Sequence, residues 1–162
     1  MKHKTILSIG VLVLVGLVMA DSAHFLKATG TVDSTTGDYI ASFKEAGLGT
    51  TPISYSLVAT PVSFTFQCYN NGNNTPQGAP NNVSFSDESS FVTITPRNGQ
   101  ITGSVTLTPE LGGASCQGNG LTLFLVEVNY GTPGGTVTLT DTVNNVSITV
   151  PSISLSGLKI RF

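Results

Sequence analysis

Val62-Ser63-Phe64-Thr65-Phe66-Gln67-Cys68 puts an apolar residue at every second position and ends on one of the chain's two cysteines. Successive side chains of a strand point to opposite faces, so Val62, Phe64, Phe66 and Cys68 share one face and turn it to a core. Just upstream, Ile53, Tyr55 and Leu57 alternate on odd numbers instead of even ones. An inward face cannot change parity without an extra residue or a break, which predicts a bulge or kink near Thr60-Pro61.

Working outward, His24 to Val32 and Tyr39 to Phe43 read as strands joined by the turn formers Asp33 to Asp38. Lys44-Glu45-Ala46-Gly47-Leu48-Gly49 breaks the pattern and reads as a loop, and Asn70 to Asn82, rich in Asn, Gly and Pro, reads as the longest exposed loop. Val83 to Phe85 and Phe91 to Thr95 read as short strands interrupted by Asp87 to Ser90. Asn98-Gly99 predicts a hairpin between Phe91–Thr95 and Ile101–Leu107. Leu121 to Val128 is apolar on both phases, as for a central strand covered on two sides. A hairpin over Asn144-Asn145 and a closing strand that changes parity at Gly157 complete the chain. No segment beyond the first 23 residues has a helical period. The pattern predicts an all-β fold, an antiparallel immunoglobulin-like β-sandwich of about eight to ten strands in one domain over residues 24–162.

The first 23 residues read as a secretory signal peptide: a basic start at Lys2 and Lys4, then an apolar run from Ile6 to Met19. Small residues place the cut after Ala20 or Ala23, and the run is short for a membrane span. Export predicts that Cys68 and Cys116 form a disulfide. Removing the leader takes two lysines and one aspartate from 7 basic and 9 acidic groups, leaving five and eight, a net charge of −3. Such a surface offers no basic field for nucleic acid. Charged residues make up only 10% of the chain, against about 25% in typical soluble proteins, so neutral polar groups must cover the surface.

The string Lys44-Glu45-Ala46-Gly47-Leu48-Gly49, Gln67-Cys68 with its Asn-rich loop, Asn98-Gly99, and Thr140-Asp141-Thr142 before Asn144-Asn145 resembles a group of small secreted bacterial proteins, mostly from actinomycetes. These carry the same KEAGLG motif and a cysteine pair, and no activity is assigned to them. The resemblance implies an extracellular location and a β fold, and it carries over no catalytic residue.

The chemistry-bearing residues are few. A mature terminus at His24 would join its amine and imidazole into a copper grip, but such sites need a second imidazole and the remaining chain has none. No zinc set can be built from one histidine and a disulfide. A Ser triad would have to use His24 as its base. Asp87, Glu88, Glu110, Glu127 and Asp141 are the carboxylates from which a glycosidase-like pair could be drawn. Glu127, inside an apolar strand, is expected to face solvent or pair with a lysine or arginine. Tyr69 and Tyr130 are the aromatic residues beside loops. Asn73, Asn82 and Asn145 begin Asn-x-Ser/Thr sequons.

The sequence therefore predicts a secreted, non-enzymatic protein that binds an extracellular ligand or a cell-surface component, needs no cofactor or metal, and does not insert stably in membranes. Candidate binding loops are Lys44, Glu45, Gly47 and Gly49, and Tyr69, Asn70, Asn71, Asn73 and Asn74. Two rivals are a small carboxylate-dependent hydrolase and, from the alternating end Leu158-Lys159-Ile160-Arg161-Phe162, an outer-membrane β-barrel.

Overall fold

A computed structural model describes residues 22–162; the leader reading at residues 1–21 lies outside them. Eleven strands follow in order, more than the eight to ten expected: β1 His24–Val32, β2 Tyr39–Ala46, β3 Ile53–Thr60, β4 Val62–Asn70, β5 Pro76–Phe85, β6 Glu88–Ile94, β7 Gln100–Leu107, β8 Leu121–Tyr130, β9 Thr136–Asp141, β10 Val146–Val150 and β11 Ile153–Arg161. They form three antiparallel sheets ordered β1-β2-β7, β10-β9-β3-β6 and β11-β8-β4-β5, and no helix occurs among the described residues.

The organising strand is β4. Val62, Phe64 and Phe66 are wholly buried, as are Tyr55, Leu57 and Ala59 of β3. The inward face changes parity at Thr60-Pro61, whose peptide bond is cis, and there the chain passes from the second sheet to the third. The corner packs on the segment between β8 and β9: Gly131 N–H donates to Pro61 O at 2.8 Å. Any Cβ on Gly135 would run into the Thr60 carbonyl, so that position requires glycine.

Aromatic rings join the layers. Phe43 of β2 lies 4.4 Å, centroid to centroid, from Tyr55 of β3, which brings the first two sheets face to face. Tyr130 of β8 meets Phe64 at 5.6 Å and Tyr39 of β2 at 5.2 Å, tying the third sheet in. Both buried phenols are satisfied, Tyr130 by the Gly37 carbonyl and Tyr39 by that of Pro151, which avoids the cost of an unpaired buried hydroxyl. One core cluster spans all three sheets.

The β1–β2 and β9–β10 hairpins and the parity change at Gly157 match expectation. Four local readings are corrected. The Asn98-Gly99 turn exists, with φ of 52° and 72°, but its strands part after the Arg97–Gln100 bridge. β6 pairs with β3 and β7 with β2, because each finds a full-length partner edge in a different sheet. Half of the Asn70–Asn82 loop is strand: β5 hydrogen-bonds along the edge of β4, and an edge strand with solvated side chains has no apolar alternation to announce it. Likewise Glu88 to Ser90 begin β6 and do not interrupt it. Finally, β8 is apolar on both phases because its buried face switches across a bulge, from Leu125 to Val128 and Tyr130, where the β4 register also shifts; its other face is only half-buried.

Candidate functional site

β4, β8 and β11 run side by side and bring half-buried Tyr69, Thr122 and Phe124 together with exposed Lys159 and Arg161 near one end of the third sheet. Tyr69 pairs with Thr122 and Arg161 with Phe124 across the ladders, so these side chains share the outer face, opposite Cys68 and Leu123. Beyond β4 the chain turns tightly. Asn70 Oδ1 accepts from the backbone N–H of Gly72 at 2.7 Å and of Asn73 at 3.3 Å, and Asn74 sits in the left-handed region that asparagine tolerates, φ 55°. Asn71 is held from the other side by Gly120 O through its backbone N–H and by the Thr122 hydroxyl through Oδ1 at 2.6 Å.

The result is a cleft of about 340 Å³ lined by Tyr69, Asn70, Asn71, Asn74, Thr122, Phe124 and Arg161. Tyr69 and Phe124 meet edge to face at 5.3 Å. Lys159 stands at the rim, its Nζ 4.3 Å from the Tyr69 ring centre and 2.7 Å from Asn74 Oδ1, a cation–π arrangement reinforced by a hydrogen bond. The disulfide between Cys68 and Cys116, with Cα atoms 5.7 Å apart, anchors the segment before β8 to β4 directly beneath.

Of the expected binding residues, Tyr69, Asn70, Asn71 and Asn74 converge here, whereas Asn73 closes its own turn by accepting from Thr75. The sequence reading missed Thr122, Phe124, Lys159 and Arg161. The alternation of Lys159 and Arg161 on one phase of the last strand was a legible signal, but nothing local said that β11 pairs with β8.

The other candidate stretch, expected to be a loop, is strand over its first half. Lys44, Glu45 and Ala46 belong to β2, and only Gly47 to Gly49 form a bend. That bend is a lock: Leu48 is buried and its N–H donates to Gly99 O at 3.0 Å, joining it to the β6–β7 turn. Glu45 is fully buried and takes the Tyr55 hydroxyl on Oε2 at 2.6 Å, while Oε1 has no partner. Burial pushes its carboxyl above the ordinary range, the Tyr55 bond opposes this, and the Asp141 charge adds to it. Asp141 is itself buried, accepting from the backbone of Val143 and Asn144 and from the Asn144 amide. Both carboxyls are buried away from solvent, and Asp141 organises the β9–β10 turn.

Glu127 is half-buried on the outer face of the third sheet, opposite Thr65 and the exposed Ser156, as expected for a solvent-facing carboxylate, and it accepts from the Asn129 amide at 3.1 Å. Glu88 is half-buried with Oε2 unpartnered, and burial, followed by the charge of Glu110, raises it to about 7. A carboxyl whose pKa is higher folded than unfolded contributes stability below the unfolded value and loses it as pH rises through the folded one. The Glu88 contribution therefore disappears between about pH 4.5 and 7. Allowing for its partial solvent contact, Glu88→Gln should remove about 2 kcal/mol of the stability difference between pH 5 and pH 8. Urea unfolding of both proteins at the two pH values checks this; an unchanged difference would remove the assignment.

His24 opens β1 and its Nδ1 lies 2.7 Å from Ser22 O. No group of three or more His, Cys, Asp and Glu side chains is arranged to hold a metal ion among the described residues. No helix of the described residues is long and apolar enough to cross a membrane. No protein-family model matches the chain, and no curated protein matches it.

Proposed function

We propose that the chain is an exported, non-enzymatic binding protein acting in the extracellular space or at a cell surface, with the cleft between Tyr69 and Arg161 as its recognition site. The observation that carries this reading is the convergence of three neighbouring strands and a braced asparagine turn on one aromatic and cationic cleft. The disulfide is compatible with an oxidising, extracellular location, in keeping with the apolar leader and the resemblance to small secreted bacterial proteins. We read the face-to-face packing of the first two sheets as the sandwich, of immunoglobulin-like kind, with the third sheet as the platform for the site.

The non-enzymatic reading draws on the carboxylates. Glu45 and Asp141 are sealed in the core, and the cleft lining contains no acid that could serve as a general base. The barrel alternative calls for one closed sheet, whereas these strands form three sheets around an aromatic core.

Sedimentation of labelled, disulfide-intact protein with bacterial cell envelopes tests the site. The protein is expected to pellet with the envelopes, and the double variant Tyr69→Ala/Asn71→Ala to stay in solution with an unchanged circular dichroism spectrum. Equal retention of the two proteins would place recognition elsewhere.

A further inference from the structure

The ligand class follows from which hydrogen-bonding groups of the cleft are already spent. Asn70 Oδ1 caps two backbone N–H groups, Asn71 Oδ1 takes the Thr122 hydroxyl, and Asn74 Oδ1 takes the Lys159 ammonium. An asparagine side chain has one acceptor and one two-proton donor. The Asn70 carbonyl oxygen has both lone pairs engaged and those of Asn71 and Asn74 one each, whereas none of the three side-chain amide NH2 groups is engaged among the described residues, so donors outnumber acceptors. Lys159 and Arg161 add cationic donors and no acceptor. No Asp or Glu lines the cleft. In a chain with net charge −2, two of the five lysine and arginine residues among the described residues stand at this one place.

A donor-rich, locally positive cleft matches a ligand that presents acceptors and negative charge. The guanidinium fork of Arg161 suits a carboxylate or sulfate group bidentately. Tyr69 and Phe124, set edge to face with Lys159 over the Tyr69 ring, add apolar surface against which a sugar ring can pack. The charges also favour association over distance, so binding should weaken as salt rises.

Resting on the reading of this cleft as the recognition site, we infer that its ligand is an acidic saccharide, whose carboxylate or sulfate lies between Arg161 and Lys159 and whose ring lies along Tyr69 and Phe124.

Calorimetric titration of the disulfide-intact protein with an oligogalacturonate, the same oligosaccharide as its methyl ester, and a sulfated dextran oligomer beside unsulfated dextran tests this. A charged form is expected to bind about tenfold more tightly than its neutral counterpart, and Arg161→Gln and Lys159→Gln each to lose about tenfold. Arg97→Gln, at the β6–β7 turn, should change nothing. Preference for the carboxylated or the sulfated pair identifies the anion, and either supports the inference. Equal binding of charged and neutral forms, unaffected by Arg161→Gln, overturns it while leaving the cleft as a site for neutral sugar. Absence of binding to every acidic oligosaccharide also overturns it, and envelope sedimentation then decides separately whether the cleft is the recognition site.

Discussion

Phe64→Ala is expected to lower the unfolding free energy by about 3–5 kcal/mol, the usual cost of deleting a fully buried aromatic ring. The figure belongs at the upper end because of where the ring sits. Phe64 has no solvent exposure and stands between Phe85 of the neighbouring β5, at 6.0 Å, and Tyr130 of β8, at 5.6 Å. Tyr130 in turn touches Tyr39 of the first sheet, so the cavity would open where the third sheet joins the rest. Close-packed cores relax only partly around such a gap. Urea unfolding monitored by tyrosine fluorescence measures the loss, and a change below about 1 kcal/mol would contradict the packing described.

Replacing both Cys68 and Cys116 by serine should cost up to about 4 kcal/mol, the chain-entropy value for a crosslink between residues 48 apart. In the folded protein the bond pins a segment, residues 108–120, that contains no strand, and in the unfolded chain it closes the loop from Cys68 to Cys116, whose lost entropy is the stability term. The same variant should bind ligand less well, because Gly120 braces Asn71 and Thr122 holds its side chain. Loss of the staple loosens the wall of the cleft. Comparing the serine variant with the oxidised protein in urea gives the stability term. Coincident unfolding curves would mean that the bond constrains nothing the fold depends on.

How far the sequence revealed this arrangement depended on where the information lay. Parity reads correctly wherever a strand is half-buried: the switch at Thr60-Pro61 and the one at Gly157 both stand in the structure. Parity misleads at β8, where a bulge imitates a strand covered on both sides. Edge strands are the blind spot, since β5 is held by backbone hydrogen bonds to β4 that no side chain advertises. Turn chemistry locates Asn98-Gly99 but cannot say whether the flanking strands pair with each other, a choice made by partner edges distant in sequence. For the site, the asparagine turn was legible from composition. Its cationic wall was not, because Lys159 and Arg161 reach Tyr69 and Phe124 only through the β11–β8–β4 order of the third sheet. Glu45 fails in the opposite sense: inside a polar-looking motif, it is carried into the core by the alternation of β2.

The proposed recognition on the outer face of the third sheet can be mapped residue by residue. Titration of nitrogen-15-labelled protein with oligogalacturonate, followed by amide and side-chain shifts, tests it most directly. Saturable shifts are expected at Tyr69 to Asn74, Thr122, Phe124, Lys159 and Arg161, including the Asn70, Asn71 and Asn74 side-chain amides. Shifts confined to another surface, such as the bend at Gly47 to Gly49, or no shifts at all, would contradict it.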